Sequence, residues 1–207
     1  INRASPKTQS ALLEAMAERQ VTVDGRTHDL GSPFMVIATQ NPIDHEGTYP
    51  LPESQLDRFF MRLAVGYPAR EAENEILQTR GAHEPIDDIG PVTNAEDVRR
   101  MSATVGHIHV APTLRSYLLD IAHATRRHPS LALGLSPRGV LALQRAARGQ
   151  AASQGRNYVT PDDVKSLAPY VLSHRLLPTS ESRMRGVTAA QTVTEVLASV
   201  PVPREAR

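Results

Sequence analysis

Phe34-Met35-Val36-Ile37-Ala38-Thr39, closed by Gln40-Asn41-Pro42 and preceded by Gly31-Ser32-Pro33, is the stretch on which the fold turns. The run is apolar without alternation, too short for a membrane helix, and bounded by turn residues. It predicts a central strand covered on both faces, the pattern of a parallel sheet in an α/β core. Downstream, Ile43 to Pro52 is a Gly- and Pro-containing loop, Glu53 to Arg58 a short helix, and Phe59 to Val65 a second strand. Upstream, Ser5-Pro6 opens a helix over about 6–19, with Ser5 as cap and Pro6 in the first turn. Val21–Val23 and Arg26–Leu30 flank Asp24-Gly25, a strong hairpin signal. Two strands cannot bury a sheet alone. The expectation is therefore an α/β piece completed by residues preceding Ile1, with residue 1 as a truncation point.

After Tyr67-Pro68 the pattern changes. Helices are predicted at about 69–80, 94–105, 111–127, 137–154, 161–174 and 188–199, with a linker over 81–92 marked by Pro85, Gly90 and Pro91. No later run resembles 34–39. The reading is α/β followed by all-α, divided into 1–68 and 69–207.

Composition sets limits. The 207 residues are 40% hydrophobic and carry a formal net charge of +1, so no basic field argues for nucleic acid. Only Lys7 and Lys165 are lysines, leaving 21 arginines among the 23 basic residues. Arginine suits bidentate phosphate contacts, although an Ala-rich, Arg-rich composition is equally the product of genome base composition. The absence of cysteine removes disulfides, thiolate zinc sites and a cysteine nucleophile. No apolar stretch approaches a membrane span and no signal peptide opens the chain, so a soluble cytoplasmic protein is expected. The histidines, among them His45, His107, His109, His123, His128 and His174, show no H-E-x-x-H spacing, and no metal site is expected from them.

Five segments, in order and at fitting spacing, carry a family resemblance. Ile1 to Met16 resembles the segment immediately C-terminal to the Walker B acidic pair in MoxR-type AAA+ ATPases. The Val21–Leu30 hairpin is similar to the one this group carries ahead of sensor 1, in a position thought to contact substrate or the central pore. Ala38-Thr39-Gln40-Asn41-Pro42 resembles the sensor 1 strand end, Leu51 to Phe59 the arginine-finger segment, and Leu135-Ser136-Pro137-Arg138-Gly139 the sensor 2 motif. The resemblance runs from residue 1 to about 203. It implies the C-terminal part of a AAA+ P-loop NTPase αβα core with a helical lid.

By the same resemblance, ATP and Mg are the implied ligands and the assembly is a ring of copies, expected to be a hexamer. Its expected work is chaperone-like remodelling or maturation of protein complexes, with a von Willebrand A-domain protein as possible partner. No G-x-x-x-x-G-K-[ST] occurs in the chain, and the acidic pair is expected just before Ile1. Without amides and a Lys to cradle phosphate, and without the metal's carboxylates, the chain alone is expected to hydrolyse nothing. The rival readings are a non-catalytic helical interaction module and a DNA-acting AAA+ protein; the +1 charge disfavours the latter.

Each candidate residue has a physical argument beside the resemblance. Asn41 ends a predicted core strand, where α/β sheets place ligand contacts. A neutral amide there can hold the attacking water or γ-phosphate, though an Asn-Pro turn needs no ligand. Arg58 fits a finger: planar, charged and carried on a short helix. Its rival is a salt bridge to Asp57 or Glu53. Arg138 lies in the first turn of a helix capped by Ser136, where the dipole disfavours a cation; an anionic ligand at those amides would explain it. Asn2, Arg3 and Lys7 would flank the acidic pair or simply cap the helix. Glu46 and Glu53 could meet a neighbour's Arg and are not expected to be catalytic.

Overall fold

Helix starts obey the capping signals closely. In the computed structural model, which describes residues 1–41, 47–79 and 85–203, α1 spans Pro6–Glu18 and Ser5 accepts from the Thr8 amide at 3.3 Å. It stops at Arg19, whose φ of 54° is left-handed. The hairpin comes next as β1 (Gln20–Val23) and β2 (Arg26–Asp29), paired antiparallel with Val23 opposite Arg26. Asp24 and Gly25 both have positive φ, 50° and 76°; that pair of angles matches the right-handed twist of a two-residue hairpin. All but Val21 of its eight strand residues are exposed.

The two predicted core strands do not form a ladder. Among the described residues, 34–41 and 61–69 carry no strand pairing. Several of their apolar side chains face water: Met35 is 78% exposed, Ile37 82% and Val65 98%. The physical reason is the one the strand count raised. A strand's hydrogen bonds and cover come from neighbouring strands and helices, and among the described residues neither run has a strand partner. Between the runs lies α2 (Glu53–Leu56), as expected; Pro42–Glu46, including His45 and Glu46, lie outside the described residues.

The helical part is built from α3 (Arg70–Thr79), a 3₁₀ turn at Pro85–Asp88, α4 (Ala95–His107), α5 (Pro112–Arg127), α6 (Pro137–Ser153), α7 (Pro161–Leu172), a 3₁₀ turn at Ser173–Arg175, α8 (Ser180–Met184) and α9 (Ala189–Ser199). All six predicted helices are present, each boundary within two residues. The sequence pattern does not announce the 3₁₀ turn at Pro85–Asp88, the short α8, or a small antiparallel pair, β3 (Leu131–Leu133) with β4 (Leu177–Pro178).

One core joins α5, α6, α7 and α9, with Ile121, Leu143, Val164, Val171, Leu172, Val193 and Val196 at its centre. The inner face of α6 is Gly139, Ala142, Leu143, Ala146, Ala147 and Ala151, a helical stripe of mostly small residues. Small side chains let α7 approach closely, and α6 with α7 is the most extensive helix contact. α7 begins with a reciprocal capping box between Thr160 and Asp163. Arg156 grips the Asp163 carboxylate through both oxygens at 2.5 and 2.8 Å. Burial pushes that carboxyl up, yet the hydrogen bonds from Arg156 and Thr160 hold it below its ordinary range.

Candidate functional site

Leu51 is buried, and α2 turns the chain directly after it. The turn continues through Arg58, whose amide donates to the Gln55 carbonyl at 3.1 Å, and Phe59, whose amide donates to Leu56 at 3.1 Å. Successive side chains then diverge. Asp57 is directed into the helical part, while Arg58 is exposed. The expected rival for Arg58, a salt bridge to Asp57 or Glu53, does not form; among the described residues the Arg58 side chain has no ion pair.

The Asp57 carboxylate is instead the centre of a cluster contributed by distant residues. Its Oδ1 accepts from Arg175 Nε at 3.0 Å. The Ser136 hydroxyl donates toward Oδ2 at 3.1 Å and Oδ1 at 3.3 Å, and Arg138 stands 3.6 Å from Oδ2. Arg175, whose side chain is only 2% exposed, also donates to the Asp57, Phe59 and Phe60 carbonyls at 3.3, 2.6 and 3.2 Å, and to Val171. Burial pushes its pKa down from the ordinary arginine value while the Asp57 carboxylate opposes that shift. His174 lies against it, with Nε2 3.0 Å from the Phe59 carbonyl and 2.7 Å from Arg175. Burial first, and then the Arg175 charge, lower the His174 pKa to about 4, so the ring is neutral at pH 7.

Ser136 caps α6 as expected, accepting from the Gly139 amide at 3.1 Å with Pro137 in the first turn. Arg138 is exposed at that N-terminus. Beside it within the described residues stands the Asp57 carboxylate, which answers part of the electrostatic argument: a carboxylate, not only an outside ligand, meets the cation and the capping Ser136 hydroxyl. The sensor 2 candidate and Arg175 thus share the carboxylate of the finger candidate's immediate neighbour.

Asn41 belongs to a second group. Asn2, 4% exposed, donates from Nδ2 to the Asn41 carbonyl at 3.0 Å and accepts from its amide at 3.4 Å. The Ile1 nitrogen donates to Thr39 at 2.6 Å, and the Tyr49 amide to the Asn2 carbonyl at 2.6 Å. Gln9 completes the knot by donating to the Ile1 and Tyr49 carbonyls. Asn2 therefore fixes the backbone of Asn41, a role the sequence did not suggest. Arg3 and Lys7 are exposed, as is Glu53.

Asp57, His174 and Arg175 also escaped the sequence reading. The one available signal was a cation, Arg175, set in the apolar context Val171-Leu172 and Leu176-Leu177.

Residues 1–61 match the family profile "ATPase family associated with various cellular activities (AAA)", and residues 123–196 match "AAA lid domain". Core segment succeeded by lid defines the class: a AAA-type ATPase. YeaC of Bacillus subtilis (strain 168), an uncharacterized protein, is 47% identical over 98% of this chain and 63% of its own length. Chaperone MoxR1 of Mycobacterium tuberculosis is 41% identical over 99% of this chain and 56% of its own, and protein MoxR of Paracoccus denitrificans 32% identical over 98% and 66%. A crystal structure from Cytophaga hutchinsonii, presented as a candidate ATPase, superposes with a TM-score of 0.90 at 32% identity, covering 98% of this chain and 64% of that one. The chain belongs to the MoxR family of AAA+ ATPases. It spans 56–66% of the length of these relatives. Its fold is that of a AAA+ core piece with a helical lid after it.

Proposed function

We propose that the whole protein binds and hydrolyses ATP in a ring of identical subunits, a hexamer, and that this chain contributes the face that completes a neighbour's nucleotide site. Residues 1–68 form the core portion and 69–207 the lid. Arg58 is the finger that meets the γ-phosphoryl group of the adjoining subunit, Asn41 orders the attacking water, and Arg138 reads the phosphate from the lid. The observation that carries this reading is the contrast at positions 57 and 58. A guanidinium without an ion pair among the described residues is held on a segment whose preceding carboxylate is locked into a buried network. Charge that must act on a transition state is useful when its position is fixed before the reaction.

Among the described residues no group of three His, Cys, Asp or Glu converges to hold magnesium. No step is therefore assigned to magnesium. Without a phosphate-gripping loop, the 207-residue chain by itself turns over no ATP. MoxR1 is named a chaperone. We extend that role to this protein as remodelling or maturation of protein complexes in the cytoplasm, with a von Willebrand A-domain protein as partner.

The test is Arg58→Ala in the whole protein. Nucleotide affinity should stay within a few-fold of the parent, while turnover of assembled rings falls on the order of 10³-fold. Unchanged turnover would remove Arg58 from the mechanism. Authentic ATP turnover by the 207-residue chain alone would overturn the claim that it lacks the hydrolytic half.

A further inference from the structure

We propose that Arg175 is a positioning residue for Arg58, a latch that makes the finger segment move with its own lid; the proposal rests on the reading of Arg58 as the finger. Arg175 grips the chain on both sides of that residue. Behind it, Nε binds the Asp57 carboxylate at 3.0 Å and Nη2 the Asp57 carbonyl at 3.3 Å. Ahead of it, Nη2 and Nη1 donate to the Phe59 and Phe60 carbonyls at 2.6 and 3.2 Å. Position 58 is stepped over, and its side chain is left in solvent. A single planar fork spanning residues 57 to 60 fixes the backbone direction at Arg58 without consuming its charge.

The other end of the latch is anchored in the lid. Arg175 closes the 3₁₀ turn after α7 and donates back to the Val171 carbonyl. The Arg62 amide reaches the Tyr170 carbonyl at 3.0 Å, extending the same seam. Ser136, the cap of α6, adds its hydroxyl to Asp57. The packing leaves room for the fork: a Cβ on Gly139 would lie 3.0 Å from Arg175 Cδ and would crowd the Leu135 side chain. The finger segment is thus bonded to the ends of two lid helices. A rotation of the lid cannot leave the finger behind without breaking a buried ion pair and three carbonyl bonds.

An ordinary buried ion pair would also stabilise the fold, so the test must see more than stability. Four versions of the whole protein would be compared as assembled rings: unaltered, Arg58→Ala, Arg175→Lys, and the double variant. Lysine keeps the charge but cannot span four acceptors. The expected result is a fall of about ten-fold or more in kcat for Arg175→Lys, where a factor of ten corresponds to about 1.4 kcal/mol, with KM for ATP within two-fold. In the Arg58→Ala background the same change should alter the residual kcat by less than two-fold, because Arg175 acts through Arg58. Equal losses in both backgrounds, or no loss in the first, would overturn the latch while leaving the finger intact. Full turnover by Arg58→Ala would remove the finger reading and the latch with it. Should Arg175→Lys fail to assemble, the same cycle is run with Asp57→Asn, which keeps the side-chain volume and an acceptor for Ser136. If neither variant assembles, Arg175 is a stability residue and the proposal falls.

Discussion

Residues 108–200 and residues 34–67 are comparably apolar to read, yet they end up in opposite surroundings. The first region holds every buried member of the main core, from Ile108 to Val200. In the second, Met61 is the one described apolar residue of the two predicted strands that packs against that core, while Ile37 and Val65 stand in water. The difference lies in where each element finds its hydrogen bonds. A helix closes its own and needs cover on one stripe. A strand must borrow both its bonds and its cover from other segments. The helical region therefore supplies most of its own bonds and cover, whereas residues 34–41 form no strand ladder among the described residues.

The sharpest way to break the helical region is through its closest backbone crossing. A Cβ on Gly134 would lie 2.5 Å from Arg126 Cα and 2.6 Å from its nitrogen. Backbone cannot swing aside as a flexible side chain can. Gly134→Ala should cost about 3 kcal/mol, seen as a lowered denaturant midpoint with an unchanged slope. A loss below about 1 kcal/mol would show that the crossing is more pliant than its geometry. Leu143→Ala, at a fully buried position, belongs in the same range, about 2–5 kcal/mol.

Acid should attack the seam between the two regions. Above pH 6.5 the His174 ring is neutral in the folded and unfolded chain alike, so it adds no pH dependence. As pH falls below 6.5 the unfolded chain takes up the proton first, and stability declines until about pH 4, where the folded ring also protonates. At about 1.4 kcal/mol per pH unit the total is about 3 kcal/mol. Chemical unfolding measured from pH 7 to 4, with His174→Gln as control, should show the decline in the parent and a flatter profile in the variant. Parallel profiles would assign the acid sensitivity to other groups.

Legibility in the sequence divides along the same line. Ser5-Pro6, Ser136-Pro137 and Thr160-Pro161 announce helix starts because capping is a rule about neighbours along the chain. The α/β-then-helical order was legible for the same reason. The β3–β4 pair was not, because Leu131 meets Pro178 from the far side of α6 and α7 and β4 is two residues long. Arg58 and Arg138 could be singled out by motif and by helix position. Their shared anchor could not: Asp57 and Arg175 are 118 positions apart, while local rules offered Arg58 itself as the partner for Asp57. The strand-end rule and the sensor 1 resemblance both point to Asn41, but neither points to Asn2, whose side chain bonds the Asn41 backbone.

A smaller effect is expected at Tyr117, whose hydroxyl is buried without a hydrogen-bond partner among the described residues. Burial, and after it the Asp162 charge, raises the phenol's pKa, so it remains neutral through the physiological range. Tyr117→Phe removes a desolvated donor and keeps the ring. Its stability should change by no more than about 1 kcal/mol, with gain favoured over loss. A loss of about 2 kcal/mol or more would mean that the hydroxyl has a bonded water.

The smallest change in this chain should come from the residue that first suggested a core. Ile37 lies in the middle of the decisive run and is 82% exposed. Ile37→Ser in the 207-residue chain should shift unfolding by less than about 0.5 kcal/mol, because there is almost no buried area to lose. In the whole protein, if the run is a covered central strand, the same substitution should cost about 2 kcal/mol or more. Equal small effects in both would mean that the run stays at a surface and that its apolar pattern serves an interface. Equal large effects would mean that residues 34–39 already find cover within this chain. The divergence between the two numbers measures how much of the core portion's order comes from other segments, in the same units in which Gly134 and Leu143 measure the lid's own.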